Sequence, residues 1–258
     1  MSKTTGRVTG TRELWLASLA HDGTAFRDAA RSADLDAHVP SCPDWALADL
    51  VAHLGTVYAY VCSHVSRGVT DPPPVRLAEF PSSAPAGPAV LDWFDERFAE
   101  LGTVLENLDG DLPAWNWGPR PKVASFWQRR MAHETAVHRW DAQTAAGLPE
   151  PLDPKLAVDG VTEVFDTWLP AGRRRGRTDV TGLAHLVATD AGYDWHVRLR
   201  GQGVALLAAD TMLREDRSPH VETTGTASDL NLALYGRIGF DLLDSTGDPT
   251  LLDALRTG

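Results

Sequence analysis

The chain reads as α+β: a helical bundle followed by a smaller domain that mixes strands and helices. Three observations predict this. Four apolar stripes at helical spacing occupy the first half, and a proline-rich stretch separates the second stripe from the third. Beyond residue 180 the pattern changes to alternation of apolar and polar residues, the period of a half-buried strand. Helices first and strands later is the order of an α+β protein. At roughly 150 residues per domain, 258 residues make between one and two. The stop of the fourth helix at Gly147, before Pro149 and Pro151, divides them into 1–150 and 151–258.

The first helix is predicted from Thr11 to about Arg31, with Leu14, Trp15, Leu19 and Phe26 as its stripe and Gly23 as an interruption. The turn Val39-Pro40-Ser41-Cys42-Pro43-Asp44 follows, and Asp44 is placed to cap a helix over Trp45 to Arg67, striped by Leu47, Leu50, Leu54, Val57 and Val61. Six prolines between Pro72 and Pro88 rule out a continuous helix, so that segment is a long exposed crossover. A third helix runs from Ala89 to about Asn107 and a fourth from about Ala124 to Ala146, stopped at Gly147. Four helices with one long crossover predict a four-helix bundle.

A helix from Pro154 to Leu169 opens the second half and leads into Arg173-Arg174-Arg175-Gly176-Arg177, read as a solvated turn. Leu183 to Thr189 and Trp195 to Arg200 read as a hairpin joined by the turn residues Asp190 to Asp194. Val204 to Ala208 and His220 to Thr223 are weaker strands. Thr226-Ala227-Ser228-Asp229 is a capping-box variant that opens a helix over Leu230 to Ile238, and a short helix follows Pro249.

Composition removes several classes of function. The formal charge of −11 opposes a nucleic-acid groove or a polybasic membrane anchor, both of which work by neutralising phosphates. No apolar run approaches the ~18 residues of a membrane span, and Met1 to Gly10 lacks the apolar core of a signal peptide. Two cysteines, Cys42 and Cys62, are too few for a disulfide framework or a thiolate metal site, and a cytoplasmic location is expected.

The fourth helix carries the chemistry. Its stripe from Trp127 passes through Met131, Glu134, His138 and Asp141 to Ala145, so ionisable groups interrupt an otherwise apolar or small-residue face. Glu134 and His138, four apart, are either an ordinary surface pair or two ligands within reach of one divalent ion. His53, beside the stripe of the second helix, is either a satisfied core histidine or the third ligand. His, Glu and His on two facing helices leave open positions, as a catalytic zinc site requires, although nickel, iron or manganese suit the same donors. Asp141 either hydrogen-bonds the His138 imidazole and fixes its tautomer or is a solvated charge. His133 projects about 100° from Glu134, towards an outer shell or the surface. His64 falls near a frayed helix end. Cys62, nine residues after His53, points away from the ligand face, and both cysteines read as structural.

Val39-Pro40-Ser41-Cys42-Pro43-Asp44-Trp45 running into Asp49-Leu50-Val51-Ala52-His53-Leu54-Gly55 resembles the opening signature of the mycothiol-dependent maleylpyruvate isomerase family, one of the DinB-like four-helix metalloenzymes. Arg130 to Ala142 is similar to its second signature. His185 to Asp190 and Thr224 to Arg237 resemble its sterol-carrier-like C-terminal region. The resemblance implies that His53, Glu134 and His138 are metal ligands, with zinc as the ion and mycothiol as the thiol cofactor. It also implies a cleft in which Arg237 could meet an anionic substrate; Arg76 of the crossover is a second candidate, and the alternative for each is simple surface solvation. An open zinc position would bind the incoming thiol and lower its pKa, giving thiolate at neutral pH. The expected function is transfer of mycothiol to a small electrophile, or isomerisation of one, by a monomer or homodimer. The alternatives are a ligand-binding module with a structural metal and a metal–water hydrolase that needs no thiol.

Overall fold

The computed structural model describes residues 4–5, 9–207 and 218–257. Its chain falls into two compact units, one of Thr11–Asn116 with Arg120–Pro151, the other of Met1–Gly10, Trp117–Pro119 and Leu152–Gly258.

The first unit is the bundle: α1 (Arg12–Ser32), α2 (Leu47–Val65), α3 (Ala89–Asn107) and α4 (Ser125–Ala145). Thr11 caps α1, its hydroxyl accepting from Leu14 N at 3.3 Å. Gly23 does not interrupt this helix. A Cβ there would stand 2.2 Å from the Phe98 ring, so the glycine leaves the space that this ring of α3 occupies. Phe98 stacks on Phe94 at 6.1 Å, and Phe94 meets Phe26 at 4.9 Å. Leu19, Leu50, Leu54, Tyr58, Leu101 and Met131 fill the core around them. Each large apolar side chain buried in this way contributes about 1.5–3 kcal/mol.

The second helix begins later than its sequence suggests, and Asp44 is not its cap. Val39 N donates to Trp45 O at 3.0 Å and His38 bridges Ala46, so the chain turns over 40–44 and is extended at Ala46 before the helix starts. The acid that serves the helix start is Asp49, whose carboxylate accepts from Ala46 N at 2.9 Å. Two histidines lie deeper than expected: His64 is 2% exposed and His133 1%. Burial pushes the His64 pKa down, although Nδ1 donates to Tyr60 O at 2.7 Å. The crossover from Ser66 to Pro88 holds one 3-10 turn, Leu77–Glu79.

In the second unit, α5 (Pro154–Glu163) runs on into a π-helical turn over Val164–Trp168. A mixed sheet follows, with strands β1 (Thr4–Thr5), β2 (Thr181–Ala188), β3 (Tyr193–Arg200), β4 (Gly203–Leu207), β5 (His220–Gly225) and β6 (Asp244–Gly247). The order is β1-β3-β2-β5-β6, with β4 also on β3. The predicted hairpin is β2–β3, antiparallel, with Gly192 at φ 68° in the turn. The expected end of the next strand, Ala208, lies outside the described residues. β1 and β6 carry no apolar alternation and were not anticipated.

Ala184, Leu186, Trp195, Val197 and Val221 are buried on one face of the sheet. The Trp195 indole donates to Thr162 Oγ1 at 3.0 Å, which ties α5 to that face. The last helices are α6 (Ala227–Leu234), capped by Thr226, and α7 (Thr250–Asp253). α6 ends before Ile238 because Gly236 takes φ 72° and Arg237 N turns back to Leu232 O at 2.8 Å. The arginine loop is partly engaged: the Arg173 guanidinium lies 4.0 Å from the Trp117 ring centre, and Arg174 donates to Gly201 O at 2.9 Å.

Candidate metal centre

Two helices of the bundle supply the site. α2 brings His53 and α4 brings Glu134 and His138, one turn apart on one face. His53 Nε2 lies 3.6 Å from Glu134 Oε1, and His138 Nε2 lies 3.4 Å from the same oxygen. One ligand atom from each of the three falls within 4.8 Å of the others. The two imidazoles meet edge to face at 5.2 Å, and the Trp45 ring packs on His53 at 4.8 Å.

Behind these atoms stands a second layer of hydrogen bonds. His138 Nδ1 donates to Asp141 Oδ2 at 2.8 Å, and Asp141 is fully buried. Asp141 is therefore no solvated charge, and it leaves Nε2 as the atom turned to the cluster. Its other oxygen accepts from the Ser41 hydroxyl, delivered by the turn before α2. Arg130, four residues before Glu134 and 3% exposed, donates from Nη2 to Glu134 Oε2 at 3.0 Å.

The electrostatics follow from burial and partners. Burial opposes the charge on Glu134, yet hydrogen bonds from His138 and His53 and the field of Arg130 hold it well below the usual carboxylate range. Burial likewise opposes a proton on His138, but Asp141 and Glu134 outweigh it and raise the pKa. The donor chemistry fits a divalent ion. Two imidazole nitrogens and a carboxylate oxygen converge, Glu134 and His138 are held from behind by Arg130 and Asp141, and His53 and Glu134 keep a third and a fifth of their side-chain surface open to solvent.

Two arginines were also predicted for the site. Arg76 caps the 3-10 turn of the crossover, with exposed surroundings. Arg237 belongs to the other unit, where its Nη1 donates to Tyr235 O at 2.9 Å. Sequence reasoning missed Ser41 and Arg130. Arg130 was legible at i−4 from Glu134, whereas nothing local joins Ser41 to a residue 100 positions away.

Residues 16–143 match the family model described as the mycothiol maleylpyruvate isomerase N-terminal domain, and residues 155–254 match that of the MDMPI C-terminal domain. Among solved structures, the crystal structure of the mycothiol-dependent maleylpyruvate isomerase is similar at 15% identity and a TM-score of 0.64, covering 93% of this chain and 95% of that one. A histidine-to-alanine mutant of that enzyme is similar at 14% identity, with the same coverage and TM-score. Identities this low establish a shared fold. No curated protein matches the chain.

Proposed function

The chain belongs to the mycothiol-dependent maleylpyruvate isomerase family, and from that premise we propose that it is a metal-dependent enzyme that uses mycothiol as cofactor or co-substrate. The observation that carries the reading is the convergence of His53, Glu134 and His138 from two helices. We assign these three as ligands of one divalent ion, zinc by preference. When bound, such an ion supplies a Lewis acid that favours the thiolate of a ligating thiol at neutral pH.

The chain's own residues prepare that site. Asp141 takes the Nδ1 proton of His138 as a hydrogen bond, so Nε2 offers its lone pair inward. Ser41 and Arg130 keep Asp141 and Glu134 from turning away. Trp45 covers His53 and limits water on that side. Arg76 and Arg237 are the candidates for holding an anionic substrate. The thiol is external in this reading; of the chain's two cysteines, Cys62 is unsuited to supply it, because burial pushes its thiol up to about 12, where almost none is thiolate at neutral pH. Among the described residues no helix is long and apolar enough to cross a membrane. A cytoplasmic monomer or homodimer is the corresponding proposal.

The experiment is turnover of maleylpyruvate and other small electrophiles with and without mycothiol, by metal-loaded and chelated protein. Turnover that needs both thiol and metal, and that His53→Ala abolishes, is the expected result. Turnover without thiol would point instead to a metal–water hydrolase. Ligand binding without turnover would point to a binding module.

A further inference from the structure

We propose that the sheet of the second unit carries a separate divalent-metal site, formed by His185, Asp194 and His196 with Glu222 behind them. It does not depend on the reading of the bundle.

Strand register builds the cluster. His185 on β2 pairs directly with His196 on β3 and with Glu222 on β5, so these three side chains share one face of the sheet. Asp194 precedes His196 by two residues and lies on that face as well. The face is the one opposite Trp195 and Val197, which pack towards α5. A strand face that needed only solvation would not bury its acid and imidazole, yet Asp194 is 6% exposed and His196 5%. Burying such groups is costly unless they are paired or bound to metal.

The distances suit an ion. One ligand atom from each of His185, Asp194 and His196 falls within 4.8 Å of the others. His185 Nε2 lies 3.1 Å from Asp194 Oδ2, and His185 Nδ1 lies 2.8 Å from Glu222 Oε2. A carboxylate on the far nitrogen of an imidazole is the arrangement that orients a metal-binding histidine. The His185 and His196 rings now stack at 4.1 Å and 15°. His185 already turns Nε2 towards Asp194, so a ligand atom of each residue is within reach of one ion without disturbing the contact to Glu222. A ligating nitrogen must be without its proton, so binding an ion would release to solvent any proton shared between His185 Nε2 and Asp194. Two nitrogens and one oxygen select zinc, cobalt or nickel over magnesium or calcium. A structural cluster would instead hold His185 between two carboxylates with no ion at all.

Titration of the full-length chain with Co2+, read by its visible absorption and by metal analysis, distinguishes these. A chain carrying His53→Ala and His138→Ala should still bind about one ion, and adding His196→Gln should abolish that binding. Glu222 is exposed, so Glu222→Gln leaves the fold intact, and it should weaken this binding about 10–100-fold. Absence of Co2+ binding in the doubly substituted chain, with its circular dichroism unchanged, would overturn the proposal. So would binding that neither His196→Gln nor Glu222→Gln alters. If the substitutions in the bundle unfold the chain, the wild-type protein decides: Glu222→Gln should weaken one of two binding events, and a single event unaffected by it would refute the site. Failure of the bundle reading looks different, since His53→Ala would then leave the wild-type stoichiometry unchanged.

Discussion

Asp141 touches no ligand atom of the cluster directly, yet its carboxylate decides which nitrogen of His138 faces inward. Asp141→Asn keeps the shape but can present an amide N–H to Nδ1, which favours the wrong tautomer. Metal affinity measured by chelator competition should fall about 10–100-fold. The raised pKa of His138 adds a pH dependence. In the metal-free chain its ion pairs stabilise fully below the ordinary histidine value of about 6.5, and that contribution is lost as pH rises through the folded value. An ion needs Nε2 without its proton. The shift in melting temperature on adding zinc should therefore grow between pH 6 and pH 8, and a shift independent of pH would count against His138 as a ligand. Cys62 supplies a third test. With its thiol pushed up to about 12, alkylation by iodoacetamide at pH 8 should be much slower than that of an unburied cysteine, as peptide mass mapping would show.

At the scale of the element, α1 and α3 meet where Gly23 faces Phe98. Gly23→Ala gains about 1 kcal/mol of helix propensity, but overpacking against an aromatic ring already stacked on Phe94 costs about 1–3 kcal/mol. The balance should be a net loss that lowers the midpoint of denaturant unfolding. The same position shows why elements were legible and their details were not. Periodicity located all four bundle helices, because stripes such as Leu50, Leu54, Val57 and Val61 are local in sequence. Gly23 read as a break because its partner Phe98 lies 75 residues away. Asp44 read as a cap because the strand-like bridge of His38 to Ala46 is a pairing, not a propensity. β6 escaped notice for a similar reason, since four polar and small residues become a strand only when β5 pairs with them.

At the scale of the whole molecule, the cluster on α2 and α4 was visible as residue types at helical spacing together with a family signature. Its outer layer was not, because Ser41 meets Asp141 across 100 positions and Arg130 owes its meaning to the burial of α4. The proposed ligands are drawn from positions 53 and 134–138, on either side of the proline-rich crossover and the whole of α3. An ion held there closes a loop of some eighty residues, whose ends must be brought together before any coordination is gained. If contacts of that kind form after the transition state, they act on the route out of the native state more than on the route in. Stripping the metal with a chelator should leave the refolding rate nearly unchanged and speed unfolding several-fold in stopped-flow measurements. In kinetic terms the metal proposed for His53, Glu134 and His138 would be a clasp, fastened last and holding the chain closed.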